Sequence, residues 1–122
     1  MIALVCGGRD YYGDRDYLDY EHVCEVLDSF ENSVGGKITS IVHGAARGAD
    51  TLAARWATAR NIPARAFPAN WELHGLSAGH VRNTDMLLLG KPDVVIAFPG
   101  GKGTADMVQQ AQRAKVSVVR IR

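Results

Sequence analysis

Cysteine is scarce in this chain. Cys6 and Cys24 are the two in 122 residues, and their spacing matches no metal-binding pair. One lies in an apolar run and the other on a helical pattern, so both read as reduced core thiols and the expected location is the cytoplasm. No apolar run approaches the roughly 20 residues that cross a bilayer. The opening run, Met1 to Cys6, is too short for the hydrophobic part of a secretion signal. An excess of one charge is also missing. Fourteen Lys and Arg against thirteen Asp and Glu leave a net charge of +1, without the clustered cations that a broad nucleic-acid face needs. Neither a linker nor an internal repeat interrupts the chain, which therefore reads as one domain over residues 1–122. No metal-ligand cluster and no Ser/His/Asp arrangement is legible, so neither a metal nor a cofactor is expected.

Present instead are short apolar runs alternating with helical patterns. Ile2 to Cys6 is uniformly apolar, as expected of a strand buried on both faces. Asp14 or Asp16 can cap a helix to about Phe30, with Leu18, Val23, Val26, Leu27 and Phe30 on one face. Ile38 to His43 is the second strand. A helix opening at Gly48-Ala49-Asp50 carries the stripe Leu52, Ala53, Trp56 and Ala59, and Asn61-Ile62-Pro63 stops it. Ala64 to Phe67 is a short third strand and Pro68 to Ser77 a loop. Ala78 to Leu89 is a helix, Asp93 to Phe98 the fourth strand, Thr104 to Ala114 the last helix and Val116 to Ile121 the fifth strand. This alternation predicts a three-layer α/β/α fold with a mostly parallel sheet of about five strands. Ligands of such sheets bind outside the carboxyl ends of the strands, where the strand order reverses.

Four loops load that edge with polar and glycine residues. The first, Gly7-Gly8-Arg9-Asp10, combines backbone access with a guanidinium suited to phosphate; it reads equally as a surface turn with an Arg–Asp pair. The second runs His43-Gly44-Ala45-Ala46-Arg47-Gly48-Ala49-Asp50. There His43 is either a base, a ligand donor or a satisfied structural group, and Asp50 either contacts ligand or complements its helix dipole. The third carries Trp71, which can stack on a base or cover a core edge, and leads into a helix where Arg82, Asp85 and Met86 share a face. The fourth, Phe98-Pro99-Gly100-Gly101-Lys102-Gly103-Thr104, follows a strand and opens a helix. The free N–H groups of that helix start favour an anion, phosphate first, with Lys102 and Thr104 as side-chain partners.

The pieces Gly7–Asp10, His43–Asp50, Ala78-Gly79-His80-Val81-Arg82-Asn83-Thr84-Asp85-Met86-Leu87 and Pro99–Thr104 span nearly the whole chain in order. On them the chain resembles the SLOG superfamily of Rossmann-like domains, which includes the Lonely Guy (LOG) phosphoribohydrolases and the DprA/Smf proteins. More narrowly it resembles the small YspA/cpYpsA-related SLOG proteins of bacteria and phages. The resemblance implies a parallel sheet that binds a nucleotide or nucleotide-derived ligand through Gly7, Gly8, Arg9, Asp10, His43, Gly44, Arg47, Asp50, Arg82, Asn83 and the Pro99–Thr104 turn. It also implies a homodimer or larger assembly. LOG enzymes split a nucleoside 5′-monophosphate with an arginine, matched here by Arg82, and a glutamate three residues after the threonine. Met107 stands at the glutamate position, and Asp106, one residue earlier, is rotated from it by about 100°.

Three functions follow as expectations. The first is a nucleotide-binding domain, acting as a sensor or ligand-processing module, with Arg9, Arg47 and Arg82 as clamps. The second is a LOG-like N-glycosidic hydrolase using Arg82 with a displaced acid such as Asp85. The third, DprA-like binding of single-stranded DNA, is disfavoured by the charge balance.

Overall fold

The computed structural model describes residues 1–8 and 16–122, with side chains from residue 20 onward in the first helix. Arg9 and Asp10, named above as ligand contacts, and the helix-cap candidate Asp14 lie outside the described residues. The elements run β1 (Ile2–Cys6), α1 (Asp16–Val34), β2 (Ser40–His43), α2 (Ala49–Ala59), β3 (Ala64–Ala66), α3 (Trp71–His74), a 3-10 turn (Gly75–Ser77), α4 (Ala78–Gly90), β4 (Val94–Ala97), α5 (Lys102–Arg113) and β5 (Ser117–Arg120). The five strands form one sheet in the order β3-β2-β1-β4-β5, and every neighbouring pair is parallel.

Strand alternation sorts the core into two layers. Ala3 and Val5 of β1 turn to one face and join Ile41, Leu52, Trp56 and Ile96 under α1 and α2. Leu4 and Cys6 turn to the other and join Val42, Val95, Met86 and Met107 under α4 and α5. That is why β1 lacks any polar residue: both of its faces are covered. The sheet is thus the middle of the expected α/β/α sandwich, in a Rossmann-like arrangement.

One predicted loop is partly helical. Within Pro68–Ser77, Asn70 caps a single α-turn by accepting the Leu73 N–H at 3.0 Å. Four residues without a buried side chain leave no apolar period, so sequence patterning misses the turn. Helix ends elsewhere use the left-handed region: Gly35, Asn61, Lys91 and Lys115 have φ of 66°, 56°, 47° and 60°. Among the described residues, no helix is long and apolar enough to cross a membrane.

Candidate functional site

After β1 the chain builds outward through β2 and β3, then returns by α4 to place β4 on the other flank of β1. Strand order therefore reverses between β1 and β4, and the loops leaving their carboxyl ends must part there. Backbone bonds from Phe98 N–H to Cys6 O and from Gly8 N–H to Pro99 O, both at 2.9 Å, keep them joined, while Ala49 N–H at the start of α2 reaches Gly8 O at 3.4 Å. At this seam opens a cavity of about 870 Å³, floored by Cys6 and Met86 and walled by Gly7, Gly8, Asp50, Arg82, Asn83 and the Pro99–Thr104 turn. The floor is inert. Burial, helped by the nearby Asp50 carboxylate, pushes the Cys6 thiol up to about 12, so it stays protonated at neutral pH.

The loop after β2 forms one side. Asp50, buried in the first turn of α2, accepts the Gly44 N–H at 2.9 Å and the Ala46 N–H at 3.4 Å, folding the loop over its carboxylate. Between them Ala45 takes φ 59°, a left-handed conformation that an alanine holds only when its surroundings impose it. His43 contributes to that constraint, accepting the Ala45 N–H on Nδ1 at 3.0 Å. Burial lowers the His43 pKa, so its ring is neutral with the proton on Nε2. From α4, Arg82 donates Nη1–H to Gly44 O at 2.6 Å. A β-carbon on Gly44 would lie 2.3 Å from that Nη1, so glycine is what lets the guanidinium reach the backbone.

The opposite side is the glycine turn. Gly101 caps α5 without any side-chain hydrogen bond, which leaves the first N–H groups of a twelve-residue helix directed at the cavity mouth. Gly100 is required by the protein itself: a β-carbon there would meet Thr104 Oγ1 at 2.3 Å and Gly8 N at 2.8 Å. Gly101 and Gly103 are different. Neither has a positive φ, and a β-carbon on either would touch nothing within 4 Å. Gly103 in a helix costs about 1 kcal/mol relative to alanine, and no contact within the described residues accounts for it.

Asn83, the next residue after Arg82 and fully buried, ties the two sides together. Its Oδ1 accepts Arg82 Nε–H at 3.0 Å, while its Nδ2 donates to Gly103 O at 3.1 Å and Asp106 Oδ2 at 2.9 Å. Asp106 in turn bonds His80 Nδ1 at 2.8 Å and accepts from Gln110 Nε2 at 2.9 Å. Burial acts to raise the Asp106 pKa, but the hydrogen bonds from Asn83, His80 and Gln110 outweigh it and hold the carboxylate below its usual range. Asp106 is thus a positioning residue that orients the Asn83 amide and, through it, Arg82. We expect Asp106→Ala to broaden and shift the Arg82 Nε–H signal in an NMR spectrum. Asp106→Asn, which keeps an acceptor, restores it. An Arg82 signal unchanged in the alanine variant refutes the link.

Comparison with known proteins decides the family. Residues 1–74 match the YspA, cpYpsA-related SLOG family. The chain belongs to that family. It is also 38% identical over 115 residues to the Gene 61 protein of Mycobacterium phage D29, an alignment covering 88% of this chain and 90% of the relative. No solved structure matches it. The part matched to the SLOG family supplies β1 through β3 and ends in α3. Arg82, Asn83 and the glycine turn lie beyond it, so their placement rests on the fold of this chain.

Of the residues expected to bind ligand in this SLOG chain, Gly7, Gly8, Asp50, Arg82, Asn83, Pro99, Gly100, Gly101, Gly103 and Thr104 line the cavity. His43 and Gly44 are buried behind its wall, shaping the loop after β2. Arg47 and Lys102 are exposed at its rim and off its lining. Asp85, expected as the displaced acid, is half-buried on α4 and does not line the cavity. Met107 is fully buried in the layer under α4 and α5. Sequence reasoning missed His22, which reaches the cavity from α1 and packs edge-on against Phe98 with ring centroids 6.1 Å apart. No motif surrounds it, so nothing in the sequence singled it out. Asp106 was weighed only as a substitute acid; its partners on α4 are contacts between helices that spacing along α5 does not reveal.

Proposed function

We propose that this chain binds a nucleotide or nucleotide-derived, phosphate-bearing ligand in the cavity at the β1/β4 seam, as a sensor or ligand-processing domain. One observation carries the reading: the uncapped start of α5 carries two glycines, Gly101 and Gly103, whose missing side chains no part of the described protein fills. A phosphate seated there receives backbone N–H groups and the positive end of the helix dipole. Arg82 offers it a second anchor. Its Nε and Nη1 are held by Asn83 and Gly44, and its Nη2 makes no hydrogen bond among the described residues. Membership of the SLOG family supports a nucleotide-related ligand.

Holding is favoured over cutting. Glycosidic cleavage needs a group that stabilises an oxocarbenium-like sugar or activates water. Met107 does neither, and Asp106 is engaged by three side chains on the flank of α5. The deciding experiment incubates the pure protein with nucleoside monophosphates and cyclic dinucleotides and follows binding and base release together. The expected result is binding without turnover, weakened about a hundredfold in Arg82→Ala because a charged hydrogen-bonding partner is lost. Base release that disappears in Arg82→Ala instead establishes the hydrolase.

A further inference from the structure

Trp71 is a large side chain that neither core layer explains. The other tryptophan, Trp56, is buried under the sheet with its Nε1–H donated to Asp28 at 3.1 Å. Trp71 is 53% exposed on α3, a turn with no buried residue, so it covers no core edge. Instead it lines the same cavity as Arg82 and the glycine turn. Beneath it sits Gly79, in the first turn of α4. The backbone there has no positive φ, and alanine would favour the helix by about 1 kcal/mol. A β-carbon on Gly79 would lie 3.9 Å from Trp71 Cη2 and 4.0 Å from Arg82 Nη2. The glycine therefore vacates a slot between an indole and a guanidinium, with half-widths at van der Waals contact, about 3.5–4 Å.

We infer that Trp71, Gly79 and Arg82 form the subsite for the planar heterocyclic base of the ligand, with the ring stacked on Trp71. This rests on the nucleotide reading above and leaves the glycine turn to the phosphate, with Arg82 shared between the two groups. A flat aromatic group fits the slot because it presents one face to the indole and the other to the guanidinium cation. Stacking tolerates any base, so purine and pyrimidine nucleotides all bind, purines more tightly because they present the larger face.

The test separates base from phosphate by measuring AMP, GMP, CMP, UMP and ribose 5-phosphate by calorimetry and tryptophan fluorescence. AMP should quench the fluorescence of the native protein and ribose 5-phosphate should not. In Trp71→Leu the AMP affinity falls about tenfold while that of ribose 5-phosphate is unchanged, and Trp71→Phe restores most of the loss. Gly79→Ala provides a variant that cannot fail by misfolding: it should raise the melting temperature slightly and still cost AMP about tenfold. Equal affinities across all three variants overturn the base subsite while leaving nucleotide binding intact. So does a Trp71→Leu effect confined to self-association, which would make the exposed Trp71, Leu73 and Leu76 an interface between copies. If none of the four nucleotides binds, the nucleotide reading itself falls, and the subsite with it.

Discussion

Gly101→Val is expected to weaken binding of the proposed nucleotide ligand about a hundredfold and to leave the protein folded. A β-carbon at this position meets no protein atom within 4 Å, and φ of −97° lies outside the left-handed region that favours glycine. Gly101 lines the cavity, so the added side chain is expected to block approach to the N–H groups at the start of α5. Losing two hydrogen bonds to a charged group costs about 3 kcal/mol, which corresponds to roughly a hundredfold in affinity. The melting temperature should move by no more than a few degrees, since the exchange touches only a cap. Titration calorimetry alongside thermal unfolding checks both halves. Undiminished affinity in a folded Gly101→Val protein removes the phosphate cradle, and with it the main support for the proposed function.

Gly7→Ala has the opposite signature. A β-carbon there would lie 2.7 Å from Ala49 Cβ and 2.8 Å from Phe98 Cβ, atoms fixed to the backbones of α2 and the β4 exit. Neither can rotate away, so relief requires β1, α2 or β4 to move in a core without spare volume. Overpacking of this kind costs about 2–3 kcal/mol, or a drop of roughly 10 °C in melting temperature for a chain of this size. Chemical denaturation with an unchanged slope would show the loss to be one of stability alone. A variant as stable as the native protein would mean the seam is more loosely packed than these distances indicate. The pair of substitutions separates glycines the fold requires from glycines the fold leaves open.

That separation marks the limit of what the sequence reveals. Apolar runs such as Ile2–Cys6 and Val94–Ala97 are unambiguous because both faces of a central parallel strand must be apolar, and strand exits then follow by position. The wall residues were legible for the same reason: Gly7, Gly8 and the Pro99–Thr104 turn each sit immediately after such a run. What did not follow was anything set by contacts between elements distant in sequence. Asp50 looks like a helix-dipole residue and turns out to hold the loop after β2 by its backbone. His43 reads from sequence as a base, a ligand donor or a structural group, and the Ala45 N–H it accepts supports the last. Asn83 is one polar residue among several on α4, and only its simultaneous reach to Arg82, Gly103 and Asp106 distinguishes it. The α3 turn escaped because a single capped turn carries no hydrophobic period.

The Gly8–Pro99 backbone bond at the seam also has a thermodynamic meaning. The cavity walls come from segments far apart along the chain, residues 7–8 and 50 on one side, 82–83 and 99–104 on the other. A molecule lodged between them would work as a non-covalent staple across the middle of the sheet, adding to the pairing of β1 with β4. Since only the assembled edge can grip it, a ligand at a hundred times its dissociation constant would add about 2.7 kcal/mol to the folded state. The occupied and empty forms of this chain would then differ chiefly in how firmly its two halves are held together.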